Sequence, residues 1–280
     1  MSSSTNYLAR YSWPLYFWDE AMKAMQPLAT AFAISSGGYA LLITAAHVHE
    51  IELPIYFPTG DKDGEGYEVC CEQGRTLSAF TDDGEIDRYD FTVIQIPIEN
   101  LSPHKRFVPL QMIGRSFLLR HVDRIWLAGY PLTANDIRYK QKEHSPESWA
   151  IDLPQVHLDE YEQLGLDPIR QFCVRFDPKR MIHESGQKAK PPHLRGISGG
   201  PAWHIPEIAE STRTDEGVSL LGITTYQCNE RKIIWGTRLS YIMLHLKEEY
   251  SEFLDAWRPL KHRTTDETEI RLWNKYAQRY

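Results

Sequence analysis

Gly196-Ile197-Ser198-Gly199-Gly200-Pro201-Ala202 sets a serine among glycines, and far upstream Thr44-Ala45-Ala46-His47 ends an apolar run. Glycine costs backbone entropy unless the chain must adopt a conformation that other residues avoid. A tight turn that presents a hydroxyl and aims N–H groups at a developing oxyanion is such a case. The hydroxyl then needs a histidine to take its proton and a carboxylate to orient that histidine. His47, Asp90 and Ser198 occur in that order along the chain.

His47 follows an apolar strand and a Thr-Ala-Ala step, where small residues allow close packing behind an exposed ring. Asp82, Asp83 and Asp87 lie near Asp90, but Asp90 alone begins the apolar run Phe91-Thr92-Val93-Ile94-Gln95-Ile96. It should therefore sit at the mouth of a buried strand, where a carboxylate is shielded and hydrogen-bonded. His47 and His49 have no zinc-ligand spacing with the four cysteines, so no metal or other cofactor is expected.

Outward from these motifs the chain reads as short strands with polar turns. Ala29–Ile34, Gly37-Gly38 and Tyr39–Thr44 read as strand, turn, strand. Further strands are expected at Glu52–Phe57, Tyr67–Glu72, Phe91–Pro97, Arg124–Ala128, Gln171–Phe176, Val218–Tyr226 and Lys232–Trp235. That texture predicts an all-β barrel or sandwich.

Residues 1–27, with Glu20–Met25 as helix formers, are expected to form a short helical extension. Residues 133–168 read as a polar, irregular connection, and Glu184–Pro192 as a mobile polar segment before the serine turn. From Arg238 the period becomes helical, with Leu239, Ile242, Met243, Leu246, Tyr250, Phe253, Leu254 and Trp257 on one face. The organisation expected is an extension over 1–27, a folded unit over 28–258 with halves at about 28–130 and 131–258, and a tail over 259–280.

Composition bounds the function. The net charge of −7 gives no basis for a nucleic-acid surface, and no apolar run reaches the roughly 20 residues of a membrane span. The first residues lack a basic segment leading into an apolar one, and the cysteines suggest no dense disulfide framework. The chain is accordingly expected to be cytoplasmic.

Three stretches together resemble the chymotrypsin-fold (trypsin-like) serine peptidases, closer to their disulfide-free bacterial type. They are Thr44-Ala45-Ala46-His47, Asp90-Phe91-Thr92-Val93-Ile94 and Gly196-Ile197-Ser198-Gly199-Gly200-Pro201. Leu127–Pro131 and Leu221–Thr224 resemble the family's flanking strands, and the likeness covers about residues 28–250. It implies two six-stranded antiparallel β-barrels, followed here by a C-terminal helix.

The resemblance also implies roles. Ser198 Oγ would attack a scissile carbonyl, His47 would carry the proton, and Asp90 would orient the imidazole. The N–H groups of Gly196 and Ser198 would form the oxyanion hole. The segment Gly222–Tyr226, with Gly222, Ile223 and Thr224 as its substrate-binding residues, would offer backbone groups to an extended protein or peptide substrate.

Departures from the family pattern shape the expectation. Ile197 stands where secreted members carry an aspartate that pairs with a newly cut N-terminus, so that activation is unavailable. Pro192 stands where trypsin carries its acidic specificity residue, which points to an uncharged P1 side chain. The resemblance to quality-control peptidases of this type would imply a PDZ module after the catalytic unit, and none is expected within these 280 residues. The function expected is a serine endopeptidase acting through an acyl-enzyme and gated by loop ordering or a regulatory protein partner. The alternatives are a catalytically latent binding or scaffold module and an esterase-like acyl transfer.

Overall fold

A computed structural model describes residues 8, 10–36, 39–51, 53–58, 67–69, 76–78, 89–97, 106–114, 122–132, 148–178, 194–206 and 217–249. The strands are β1 (Trp13–Asp19), β2 (Ala24–Ser36), β3 (Tyr39–Thr44), β4 (Ile55–Pro58), β5 (Tyr67–Val69), β6 (Thr76–Ser78) and β7 (Thr92–Pro97). They continue with β8 (Arg124–Gly129), β9 (Trp149–Pro154), β10 (Gln171–Arg175), β11 (Pro201–His204), β12 (Ser219–Cys228) and β13 (Ile233–Arg238). The α-helices are short: α1 (Leu110–Gly114), α2 (Tyr161–Leu164) and α3 (Leu239–Glu249).

Two antiparallel sheets make a mostly β structure. The first runs β5-β4-β1-β2-β3-β7-β6 and the second β10-β13-β12-β11-β8-β9. The second sheet curls until its edges meet. Gln155, just after β9, bridges Val174 of β10, and the Val156 N–H donates to Cys173 O at 2.8 Å.

Alternation along the strands sorts side chains among four buried clusters, three of them large. In β2 the small residues Ala29, Ala31 and Ala33 face the inside of the first sheet. Phe32 and Ile34 face the other way, into a core shared by both sheets. Leu42 against Leu41 and Ile43, and Ile94 against Val93, divide in the same manner. From the second sheet, Trp203, Leu220 and Ile223 enter the shared core, while Ala202, Leu221 and Ile234 fill the sheet's own interior. Burial on both faces explains why these strands read as continuous apolar runs.

Helix α3 begins at Leu239 as its periodicity predicts, and buries Leu239, Ile242, Met243 and Leu246 in the shared core. Its expected continuation to Trp257, the Gly37-Gly38 turn, Glu184–Pro192 and the tail 259–280 lie outside the described residues. Among the described residues no helix is long and apolar enough to cross a membrane.

Two expectations need correction. Residues 10–27 do not form a helical extension: Trp13–Asp19 is β1, and β2 starts at Ala24, so the boundary at 28 falls inside a strand. Asp19 Oδ1 accepts the N–H groups of Ala21 and Met22 at 2.9 and 3.0 Å, and Lys23 has a φ of 50°. This side-chain-capped turn outcompetes the helix propensity of Glu20–Met25. The first sheet accordingly holds seven strands among the described residues rather than six.

The connection 133–168 also contains regular structure, namely β9, a 3-10 turn at Leu158–Glu160 and α2. Only Ile151 and Leu153 of β9 carry the inward apolar pattern, too short a signal to read from sequence.

One consequence is measurable as pH. Burial holds the His204 imidazole below its ordinary value of 6.5, against an opposing pull from Asp123. The unfolded chain therefore takes up this proton first, and stability is lost as pH falls below about 6.5. His204→Asn is expected to flatten that part of the stability–pH curve, read from urea midpoints.

Candidate active site

Sheet register brings His47 and Asp90 together. In the β3–β7 ladder Thr44 faces Thr92, so the residues just after β3 meet those just before β7. His47 lies three positions beyond Thr44, in the 3-10 turn Ala46–Ile51, and Asp90 two positions before Thr92. The His47 N–H donates to Asp90 Oδ1 at 2.9 Å, and His47 Nδ1–H to Asp90 Oδ2 at 2.6 Å. Both carboxylate oxygens thus hold one residue, by its backbone and its ring.

A proton fixed on Nδ1 leaves Nε2 as the acceptor nitrogen of the neutral imidazole. The aspartate side chain is 15% exposed and the imidazole 36%, so the carboxylate lies behind the ring, away from solvent. Asp90 itself has a φ of 45°. That left-handed conformation costs a non-glycine residue on the order of 1 kcal/mol, and aspartate is one of the few that tolerates it.

The serine turn is held from several sides. Ile197 N–H donates to Leu194 O at 3.0 Å and Gly200 N–H to Ile197 O at 2.7 Å, which folds the segment tightly. Gly196 and Gly199 have φ values of 96° and 79°. A Cβ at Gly199 would lie 2.1 Å from Thr44 Oγ1 and 2.8 Å from Ala45 N, so no other residue fits. This contact sets the residue after Ser198 against the segment leading to His47. To β12 the turn is tied by Gly199 N–H to Thr224 O at 2.7 Å and Thr224 N–H to Gly200 O at 2.9 Å.

Thr30, which sequence reading missed, joins the turn to the first sheet. Its N–H donates to Ser198 O at 2.9 Å, and its hydroxyl donates to Gly196 O at 2.8 Å. The same hydroxyl accepts the Tyr130 N–H at 2.9 Å, while Thr30 O accepts the Thr44 hydroxyl at 2.7 Å. A threonine within an alternating strand carries no local sign of such a role.

Among the described residues the N–H groups of Ile197, Gly199 and Gly200 all have backbone acceptors, whereas those of Gly196 and Ser198 have none. These are the two donors that the resemblance implies for an oxyanion hole.

A pocket opens beside Ser198, with an empty volume of about 260 Å³ including its solvent-open part. Leu127, Leu194, Ile197 and Ile234 give it an aliphatic lining, and no described lining residue is charged. The Thr224 hydroxyl is buried at this lining with no hydrogen-bond partner among the described residues. Ile197 also packs into the core of the second sheet, so burial of an apolar side chain anchors the turn at this position.

The expected substrate positions divide. Gly222 and Ile223 lie between β11 and β13, with no open edge, and Thr224 spends its N–H and carbonyl on the serine turn. Past Thr224 the β11 side of β12 has no described strand partner, so the open edge is Thr225–Gln227. Spacing from the serine motif gives no means of counting where one strand outruns its neighbour. Pro192 lies outside the described residues.

Among the described residues no three His, Cys, Asp or Glu side chains gather as metal ligands. Cys173 offers no competing nucleophile, since burial pushes its thiol up to about 12.

Thr30→Val replaces the hydroxyl with a methyl group and removes its hydrogen bonds to Gly196 O and from the Tyr130 N–H. It is expected to cost about 2 kcal/mol in urea unfolding, with Thr30→Ser close to wild type. Compared with family models and with curated proteins, the chain gives no match to either.

Proposed function

We propose that this chain is a serine endopeptidase of the chymotrypsin-like two-barrel type, working through an acyl-enzyme. The observation that carries the reading is the 2.6 Å bond from His47 Nδ1–H to Asp90 Oδ2, together with a serine turn that packs Gly199 against Thr44 and Ala45 and has two N–H groups with no backbone acceptor among the described residues. The two-sheet architecture, with His47 and Asp90 on one half and Ser198 on the other, is compatible with that fold.

In this reading His47 Nε2 takes the Ser198 proton as Oγ attacks the scissile carbonyl. Asp90 keeps the ring in the required tautomer and stabilises the imidazolium. The carbonyl oxygen, now anionic, accepts the N–H groups of Gly196 and Ser198, each worth about 3 kcal/mol in such a setting. Collapse of the intermediate expels the amine, protonated by His47. Water repeats the sequence to release the acid.

The open edge Thr225–Gln227 would add the substrate as a further strand. The aliphatic pocket would take an uncharged P1 side chain, because a charge there would be desolvated without a partner. Gating by a regulatory protein partner belongs to the same proposal.

Labelling with a fluorophosphonate probe tests the reading. Wild type should label, Ser198→Ala and His47→Ala should not, and Asp90→Asn should lose about 10,000-fold in turnover. No labelling of the folded wild type, alone or in cell extract, would leave the latent scaffold as the better reading. A peptide library should show aliphatic P1 residues cleaved in preference to Arg, Lys, Asp and Glu; preference for a charged P1 would overturn the pocket assignment.

A further inference from the structure

Asp90 belongs to the first half of the molecule, yet both its neighbours in sequence are gripped by the second. The Tyr89 carbonyl accepts the hydroxyl of Thr237 on β13. The Tyr89 hydroxyl accepts from Arg170 Nη1 at 3.0 Å. The Arg170 guanidinium also faces the Tyr89 and Tyr241 rings, 5.5 and 5.3 Å from their centroids, and those rings pack 4.4 Å apart. On the other side, Phe91 packs against Tyr241 and His245 of α3, at 6.0 and 5.4 Å.

Arg170 itself stands on a rigid base. Asp167 O accepts the N–H groups of Arg170 and Gln171 at 3.2 and 2.7 Å, and Arg170 O accepts from Arg238 N–H at 2.7 Å. Its Nε lies 3.4 Å from Asp167 Oδ2. A guanidinium can donate in its plane while stacking its face on aromatic rings, which an ammonium cannot do.

The carboxylate held between these grips sits on a residue with a φ of 45°. A sparsely populated conformation persists only where its surroundings over-determine it. Rotation at this residue would swing both oxygens away from His47.

We propose that Arg170 is a positioning residue: through the Tyr89–Tyr241 stack it fixes Asp90, and so the His47 tautomer, from the opposite half of the molecule. The kinetic consequence rests on the hydrolase reading; the structural one does not. The fold then makes the orientation of the histidine conditional on docking of the second sheet and α3.

The test reads the hydrogen bond directly. In the full-length protein, proton NMR should show the far-downfield Nδ1–H of a histidine bonded to a carboxylate, assigned by its loss in His47→Ala and Asp90→Asn. Arg170→Ala should shift that resonance upfield or broaden it away, with Arg170→Lys intermediate. Arg175→Ala, which removes an ion pair to Glu160 elsewhere, should leave it unmoved. Tyr89→Phe keeps the ring and removes only the acceptor hydroxyl, so it should act in the same direction should Arg170→Ala fail to fold.

In turnover assays kcat should fall about 10- to 100-fold with KM unchanged, the pattern of a misplaced group rather than lost binding. An unmoved resonance in the folded variants, or no such resonance in wild type, overturns the proposal. Unfolding of both Arg170→Ala and Tyr89→Phe overturns it as well, making the cluster a stability element. A shifted resonance in a protein that takes up no fluorophosphonate supports the positioning role and removes the hydrolase reading. Uptake with an unmoved resonance does the reverse.

Discussion

Thr30 commits its N–H, its carbonyl and its hydroxyl at the junction of the two sheets. The ladder between β2 and β3 ends at the pair Phe32–Ile43, which leaves Thr30 facing past the end of β3. Its partners there are the serine turn, the start of the segment after β8, and Thr44 at the close of β3. A buried backbone group without a partner is costly, so this arrangement constrains all three segments at once. The placement of Ser198 relative to the His47 segment depends on it.

Around that junction, close approach of backbone replaces side-chain packing. Gly199 brings the serine turn against Thr44 and Ala45 at distances that leave no room for a Cβ. The small residues of the Thr-Ala-Ala step meet it from the other side. Ile197 adds an apolar anchor in the interior of the second sheet. An ion pair could hold the same turn, but it would require an assembled charge partner; hydrophobic burial requires only that the sheet be folded. Order in the turn is thus coupled to the fold of the second half, and with it the two N–H groups, of Gly196 and Ser198, that have no backbone acceptor among the described residues.

The shared core has a further consequence for chemistry. Phe32, Ile43 and Val93 meet Trp203, Ile223 and Leu246 in one apolar cluster. Docking of the halves therefore stands on burial of surface, whereas the candidate site draws polar groups from each half. His47 and Asp90 come from one half and Ser198 from the other. The Tyr89–Arg170–Tyr241 cluster lies between the same two halves, and it shows that the division is not clean: the aspartate is carried by one and held by both.

Much of this was legible in the chain itself. Glycines around Ser198 announced a turn with left-handed residues, and an apolar run starting at Phe91 placed Asp90 at a strand mouth. Alternating and continuous apolar runs gave the strands at β3, β7, β8 and β12 and the face of α3. Those signals are local, arising from steric limits on φ and from the period of side chains along a strand or helix. The role of Thr30, the β1–β2 hairpin in place of a helix, and the restriction of the open edge to Thr225–Gln227, at the far end of the expected Gly222–Tyr226, were decided by tertiary structure. Each depends on what lies across a sheet or beyond the end of a neighbouring strand. The arginine that grips Tyr89 is 81 residues away in sequence, and only the closed fold brings it there.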